Sequence, residues 1–106
     1  IKDKVFLEKL HAFLDKEMEN SELSVERIGM NIGLSRVQLY RKVKAMTGMS
    51  PVELLRKVRL NRARILLQTT DKTVSEVAYE VVFSAPSYFS KCYKDEFNEL
   101  PTDGRK

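Results

Sequence analysis

Val37, Arg41 and Lys44 have counterparts fifty residues further on in Ser87, Lys91 and Lys94. On a helix turning about 100° per residue, each trio falls along one side. Leu39, Val43 and Met46 fall opposite the first trio and are expected to face the core. Phe89, Tyr93 and Glu96/Phe97 fall opposite the second. Tyr40 and Gln38 flank the first stripe, and Ser90 and Tyr88 flank the second. The chemistry open to such stripes is hydrogen-bond donation to a polyanion. An arginine can donate bidentately to guanine O6 and N7, and a lysine further along can meet a phosphate. Short side chains near the helix start let it approach base edges. Taken singly, each basic residue is no more than a solvated charge. Two stripes matched position for position favour nucleic acid.

The elements that carry these stripes form a repeat. Ser24, Ile28, Gly29 and Leu34 answer to Thr73, Val77, Ala78 and Phe83 at an offset of 49. Leu39, Arg41, Val43, Lys44 and Pro51 answer to Phe89, Lys91, Tyr93, Lys94 and Pro101 at an offset of 50. Each copy reads as helix, tight turn, helix. Each is too short for a sound core of its own, so supporting elements are required.

Local signals place the helices. Phe6, Leu10, Phe13 and Leu14 make a helical stripe over about 3–20. Ser24 caps a short helix ending at Ile32, and Gly33 supplies the turn. Ser35 with Gln38 makes a capping box for the next helix, which Gly48 closes. Ser50, Pro51 and Glu53 open a long helix reaching about Thr69. Its apolar residues lie on more than one face, predicting burial between two lobes. Thr73 with Glu76 opens the second copy, Ser84 is the expected cap of its second helix, and Asn98 stands where Gly48 stood. The pattern predicts a single all-α domain: a first lobe over 1–49, a linker helix over 50–70 and a second lobe over 71–106. At 1.5 Å per residue the linker would span about 28 Å, close to the roughly 34 Å between successive major grooves on one face of a duplex. Asp103 to Lys106 are expected to fray.

Charge is distributed unevenly along the chain. Of its 106 residues, 32% are charged, with a net charge of +4. Residues 35–64 hold nine Lys/Arg against Glu53 alone, for +8, whereas 1–22 and 65–106 each sum to −2. Such a block is the electrostatic footprint of a polyanion binder. Arg56, Arg59 and Arg62 in the linker are alternatively expected to pair with acids of the first helix. No 18-residue apolar run or signal-peptide pattern occurs. Cys92 is the one cysteine and is expected to be a packed thiol. His11 is the one histidine, expected beside core residues. With no Cys/His metal spacing, glycine-rich phosphate loop or nucleophile–base pair, neither catalysis nor a cofactor is expected. The chain begins at Ile1, and a fragment of a longer protein is expected. The rival class is a helix-turn-helix protein-interaction module, which apolar or acidic exposed stripes would have favoured.

Leu23–Leu34 followed by SRVQLYRKVKAMTGMSP (35–51) resembles the AraC/XylS family of bacterial transcription regulators. VSEVAYEVVFSAPSYFSKCYKDEF (74–97) resembles that family's second-repeat signature. The resemblance covers about 23–101. It implies about seven helices, with two helix-turn-helix units on a linker helix, binding to double-stranded promoter DNA and control of RNA polymerase. It implies base contacts by Val37, Tyr40 and Arg41 in the first unit and by Ser87, Tyr88 and Lys91 in the second. Ser24, Arg36, Lys44, Thr73 and Lys94 are the candidate phosphate contacts. The SKCYK stretch and the helical lead-in resemble output domains of hybrid two-component regulators. That implies upstream sensor or receiver domains and a cytoplasmic, nucleoid-associated site of action, with membrane anchoring of the full chain if it is a hybrid sensor. Three departures from the family pattern stand out. Val82 replaces the turn glycine, Ala85 replaces a commoner polar residue, and Asp103-Gly104 interrupts the usual final short helix.

Overall fold

A computed structural model describes residues 3–103, in which six α-helices and no strand occur. The helices are α1 (Asp3–Glu17), α2 (Val25–Ile32), α3 (Arg36–Thr47), α4 (Pro51–Thr69), α5 (Val74–Glu80) and α6 (Pro86–Phe97). The chain divides into two compact units, the first ending at Arg56 and the second starting at Lys57, so the division falls inside α4.

In the first unit α1 buries Phe6, Leu10, Phe13 and Leu14. It ends at Glu17 rather than near 20, because Asn20 turns the chain: its N–H donates to the Glu17 carbonyl at 2.9 Å and its Oδ1 accepts from the Glu22 N–H at 2.8 Å. A local side-chain bond of this kind competes with helix continuation. Ser24 caps α2, its Oγ accepting from the Arg27 N–H at 3.2 Å. Gly33 then adopts φ 83°, and the N–H groups of Gly33 and Leu34 both return to the Gly29 carbonyl, at 2.8 and 3.0 Å. A Cβ on Gly29 would lie 3.1 Å from the Leu34 carbonyl oxygen, a tight contact; Ala78, at the matching place in the second unit, accepts the equivalent bond from the Phe83 N–H at 3.0 Å. The Ser35–Gln38 capping box opens α3 and Gly48, at φ 77°, closes it. Leu39 and Val43 are buried as expected, while Met46 is only partly so. Ser50 and Glu53 exchange bonds of 2.9 and 3.2 Å at the start of α4.

The second unit repeats the plan with bulkier material. Thr73 and Glu76 form the capping box of α5. Val82 occupies the left-handed region at φ 68°, where the first unit has glycine. Phe83, Phe89, Tyr93 and Phe97 form a ladder of tilted and edge-on rings, with successive centroids 5.3, 5.7 and 4.6 Å apart. Leu60, Ala63, Leu66 and Leu67 of α4 join this core, and Cys92 packs partly buried against it.

Several expectations are corrected. Ala85, not Ser84, is the N-cap of α6, and no side chain caps that helix. The offset changes from 49 to 50 across this turn, so Ser84 matches Ser35 but the helix begins one residue later. The second turn thereby loses the side-chain acceptor that the first possesses. His11 sits in α1 next to the buried Leu10, with its own side chain exposed. In α4, Val52 and Ile65 are 50% and 46% exposed, so that helix is not buried all round. After α6 a turn carries the Asp103 N–H to the Leu100 carbonyl at 2.9 Å, and Asp103 accepts from the Leu100 N–H at 3.3 Å, so Asp103 is held rather than frayed. The remaining residues of that expectation, 104–106, lie outside the described range.

Candidate nucleic-acid interface

The basic residues of the first unit are divided by their partners. Arg36 donates through Nη1 to Glu26 Oε1 of α2. The Lys42 ammonium pairs with Asp3 of α1 and lies 5.8 Å from the centroid of the Phe6 ring. Arg27 is held by Glu17 at 2.9 Å. Arg41 and Lys44 have no ion-pair partner among the described residues, and both are exposed. Val37 and Tyr40 beside them are 60% and 50% exposed. The outward face of α3 therefore presents an apolar residue, an aromatic residue, Lys44 and the unpaired Arg41. The backbone and hydroxyl of Ser50 first, and then the charge of Lys44, hold the Glu53 carboxyl below its ordinary range. Arg41 also rims an open hollow of about 410 Å³ whose lining includes Leu34, Gln38, Lys42, Ala45 and Met46.

The second unit shows a similar division. Lys57 pairs with Glu96 at 3.8 Å, and Arg62 and Lys72 converge on Glu80 of α5 at 3.7 and 2.9 Å. Arg62 thus finds an acid in α5. Arg64 stacks 4.8 Å from the centroid of the Phe97 ring. Ser87, Tyr88, Lys91 and Lys94 of α6 are exposed. Tyr88 is braced by Phe83, their ring centroids 5.8 Å apart. Lys94 reaches the Asn98 carbonyl at 3.5 Å, a weak tether at the helix end.

The other phosphate candidates are engaged in structural roles. Ser24 Oγ and Thr73 Oγ1 both accept backbone N–H bonds as caps, leaving backbone donors as what these two helix starts can offer a phosphate. Arg36 would have to exchange Glu26 for a phosphate. The Glu26 carboxyl is held below the ordinary carboxylate range first by its own backbone N–H and then by Arg36. Motif reading missed Glu26 and Asp3 as internal counter-ions. No local signal marks them, because each pairs with a residue on another helix. Among the described residues no group of three or more His, Cys, Asp or Glu is placed to hold a metal ion.

Two helix-turn-helix units, each presenting an exposed helix with a basic residue at the same position, define a DNA-binding module. A family model described as a helix-turn-helix domain matches residues 17–106. A protein named histidine kinase P4 from Formosa agariphila is 37% identical over 94% of this chain, and the HTH-type transcriptional activator RhaS from Salmonella schwarzengrund is 35% identical over 94%. The chain spans only 7% and 36% of the lengths of these two relatives. The match to the kinase-named protein is thus confined to a small part of it. A transcriptional regulator of Chromobacterium violaceum, described as containing an AraC-type DNA-binding domain, superposes with a TM-score of 0.85 at 34% identity, covering 96% of this chain and 90% of its own. The chain belongs to the AraC-type helix-turn-helix family, whose members are sequence-specific DNA-binding transcription regulators rather than enzymes.

Proposed function

We propose that this chain is the promoter-reading output module of a bacterial regulator, with α3 and α6 entering adjacent major grooves of one duplex. In this reading 1–49 and 71–106 are the two DNA-binding lobes and 50–70 joins them. Val37, Tyr40 and Arg41 contact base edges from α3, and Ser87, Tyr88 and Lys91 do so from α6. Lys44 and Lys94 contact phosphates, as do the helix starts at Ser24 and Thr73, and Arg36 joins them once it leaves Glu26. The observation that carries the proposal is the exposed and unpaired Arg41, on the same face as Val37, while the neighbouring cations Arg36 and Lys42 are tied to carboxylates. The name of the kinase relative supports an upstream sensor or receiver domain; the same reading takes a cytoplasmic site of action and RNA polymerase as the eventual target, the whole protein being membrane-anchored if its sensor is.

The test is selection of binding sites from a random duplex pool by the 106-residue chain, at low and near-physiological salt. Two half-sites about one helical turn apart are expected. Arg41→Ala should cost about 1–3 kcal/mol and relax preference at one base pair. Absence of retention even at low salt would overturn the DNA-binding reading and revive the interaction-module reading.

A further inference from the structure

Resting on the DNA-binding reading, we infer that the two half-sites differ in kind: α3 selects a thymine through the methyl group that meets Val37, next to the guanine taken by Arg41, whereas α6 makes no such methyl selection. Val37 is the second residue of α3 and is 60% exposed on the face that also carries Arg41. An isopropyl group on a polar, cationic surface is not held there by packing. In a major groove its complement is the C5-methyl of thymine, the one apolar group that base edges present.

Spacing supports the pairing of the two contacts. Val37 and Arg41 lie one turn apart on the same side of α3, about 6 Å along the axis. Base pairs stack about 3.4 Å apart along one strand. A helix lying along the groove therefore sets the two contacts one to two base pairs apart. Tyr40, 50% exposed beside them, adds apolar surface on the same edge.

The second unit lacks this arrangement. Ser87 stands where Val37 stands, Ser90 replaces Tyr40, and Lys91 replaces Arg41. A hydroxyl can bond to several base edges, and a lysine is a single-point donor without the fork that reads two guanine acceptors together. The aromatic ring on α6, Tyr88, leans on Phe83. The half-site under α6 is accordingly the more permissive one.

The test uses the 106-residue chain and the duplex it enriches from a random pool. Each thymine is replaced in turn by deoxyuridine, which lacks only the methyl, and each guanine by 7-deazaguanine, which lacks N7. One deoxyuridine in one half-site should weaken binding about fourfold, the worth of one buried methyl. Val37→Ala protein should be blind to that replacement while melting normally, since the residue is exposed. A 7-deazaguanine one to two base pairs away should weaken binding by at least several-fold, and Arg41→Ala should be blind to it. No deoxyuridine in the other half-site should matter. Deoxyuridine that is neutral everywhere, or a penalty that persists in Val37→Ala, overturns the methyl inference while leaving DNA binding intact. Failure of the pool to enrich any duplex overturns the DNA-binding reading itself, and the inference with it.

Discussion

Tyr93→Phe tests how the second unit was built over the plan of the first. Tyr93 is fully buried between Phe89 and Phe97, and its hydroxyl has no hydrogen-bond partner among the described residues. Its counterpart in the first unit is Val43, which has no polar atom to satisfy. A buried, unsatisfied hydroxyl costs about 1–3 kcal/mol of desolvation. Removing the oxygen forfeits several van der Waals contacts worth roughly 0.1–0.2 kcal/mol each. The balance favours Tyr93→Phe by about 1 kcal/mol, or about 4–8 °C in melting temperature for a domain of this size. Thermal unfolding followed by circular dichroism reads it directly. A pH series sharpens the test. Burial first, and then the nearby Glu99, raise the phenol pKa above its ordinary value of 10.0. As pH rises through the unfolded value, the unfolded chain loses this proton while the folded one keeps it, so folding is penalised. The advantage of Tyr93→Phe should therefore widen in alkali. A melting temperature lowered by several degrees with the fold intact would refute the argument, because it would mean that the hydroxyl is hydrogen-bonded in solution.

Lys44→Ala and Lys94→Ala should each reduce the slope of log affinity against log salt by about 0.9, so that each lysine accounts for about a threefold to fourfold share of the affinity lost between 50 and 200 mM salt; an unchanged slope would remove that lysine from the phosphate contacts. Glu26→Gln frees Arg36 and removes a carboxylate from the binding face, so the slope should steepen; a slope that stays the same would mean Arg36 never reaches a phosphate. Val82→Gly should melt higher than Val82→Ala, since both lose the isopropyl group and only glycine escapes a left-handed penalty of about 1–2 kcal/mol, less the roughly 0.5–1 kcal/mol of chain entropy that glycine costs. The reverse order would show that the turn does not hold φ 68° in solution.

What the sequence disclosed was set by range. Capping boxes join residues three apart, so Ser35–Gln38, Ser50–Glu53 and Thr73–Glu76 could be read directly, and each helix starts beside its box. Gly33, Gly48 and Asn98 announced left-handed closures for the same reason, and Val82 fell into that conformation through its place in the repeat. The outward faces of α3 and α6 followed from helical periodicity. The Ala85 cap was hidden by the one-residue insertion, which local pattern reading assigned to the helix instead of the turn. The ion pairs were illegible because Arg36–Glu26, Lys42–Asp3 and Arg62–Glu80 span ten or more residues and depend on how the helices pack. For that reason the charge block of residues 35–64 overstated how many of its cations are free.

The carboxylates beside those cations bear on how a promoter is found. A regulator must leave millions of wrong positions before it meets the right one, and its time at each is set by the attraction that ignores sequence. Asp3 and Glu26 occupy Lys42 and Arg36 before any duplex arrives, so part of the block's charge is withheld from chance encounters. Under the proposed reading, dwell on random DNA shortens, while the base-edge contact assigned to Arg41 keeps its full strength. The internal ion pairs thus shift the balance from adhesion to discrimination, and a chain with a strongly basic middle can still scan quickly.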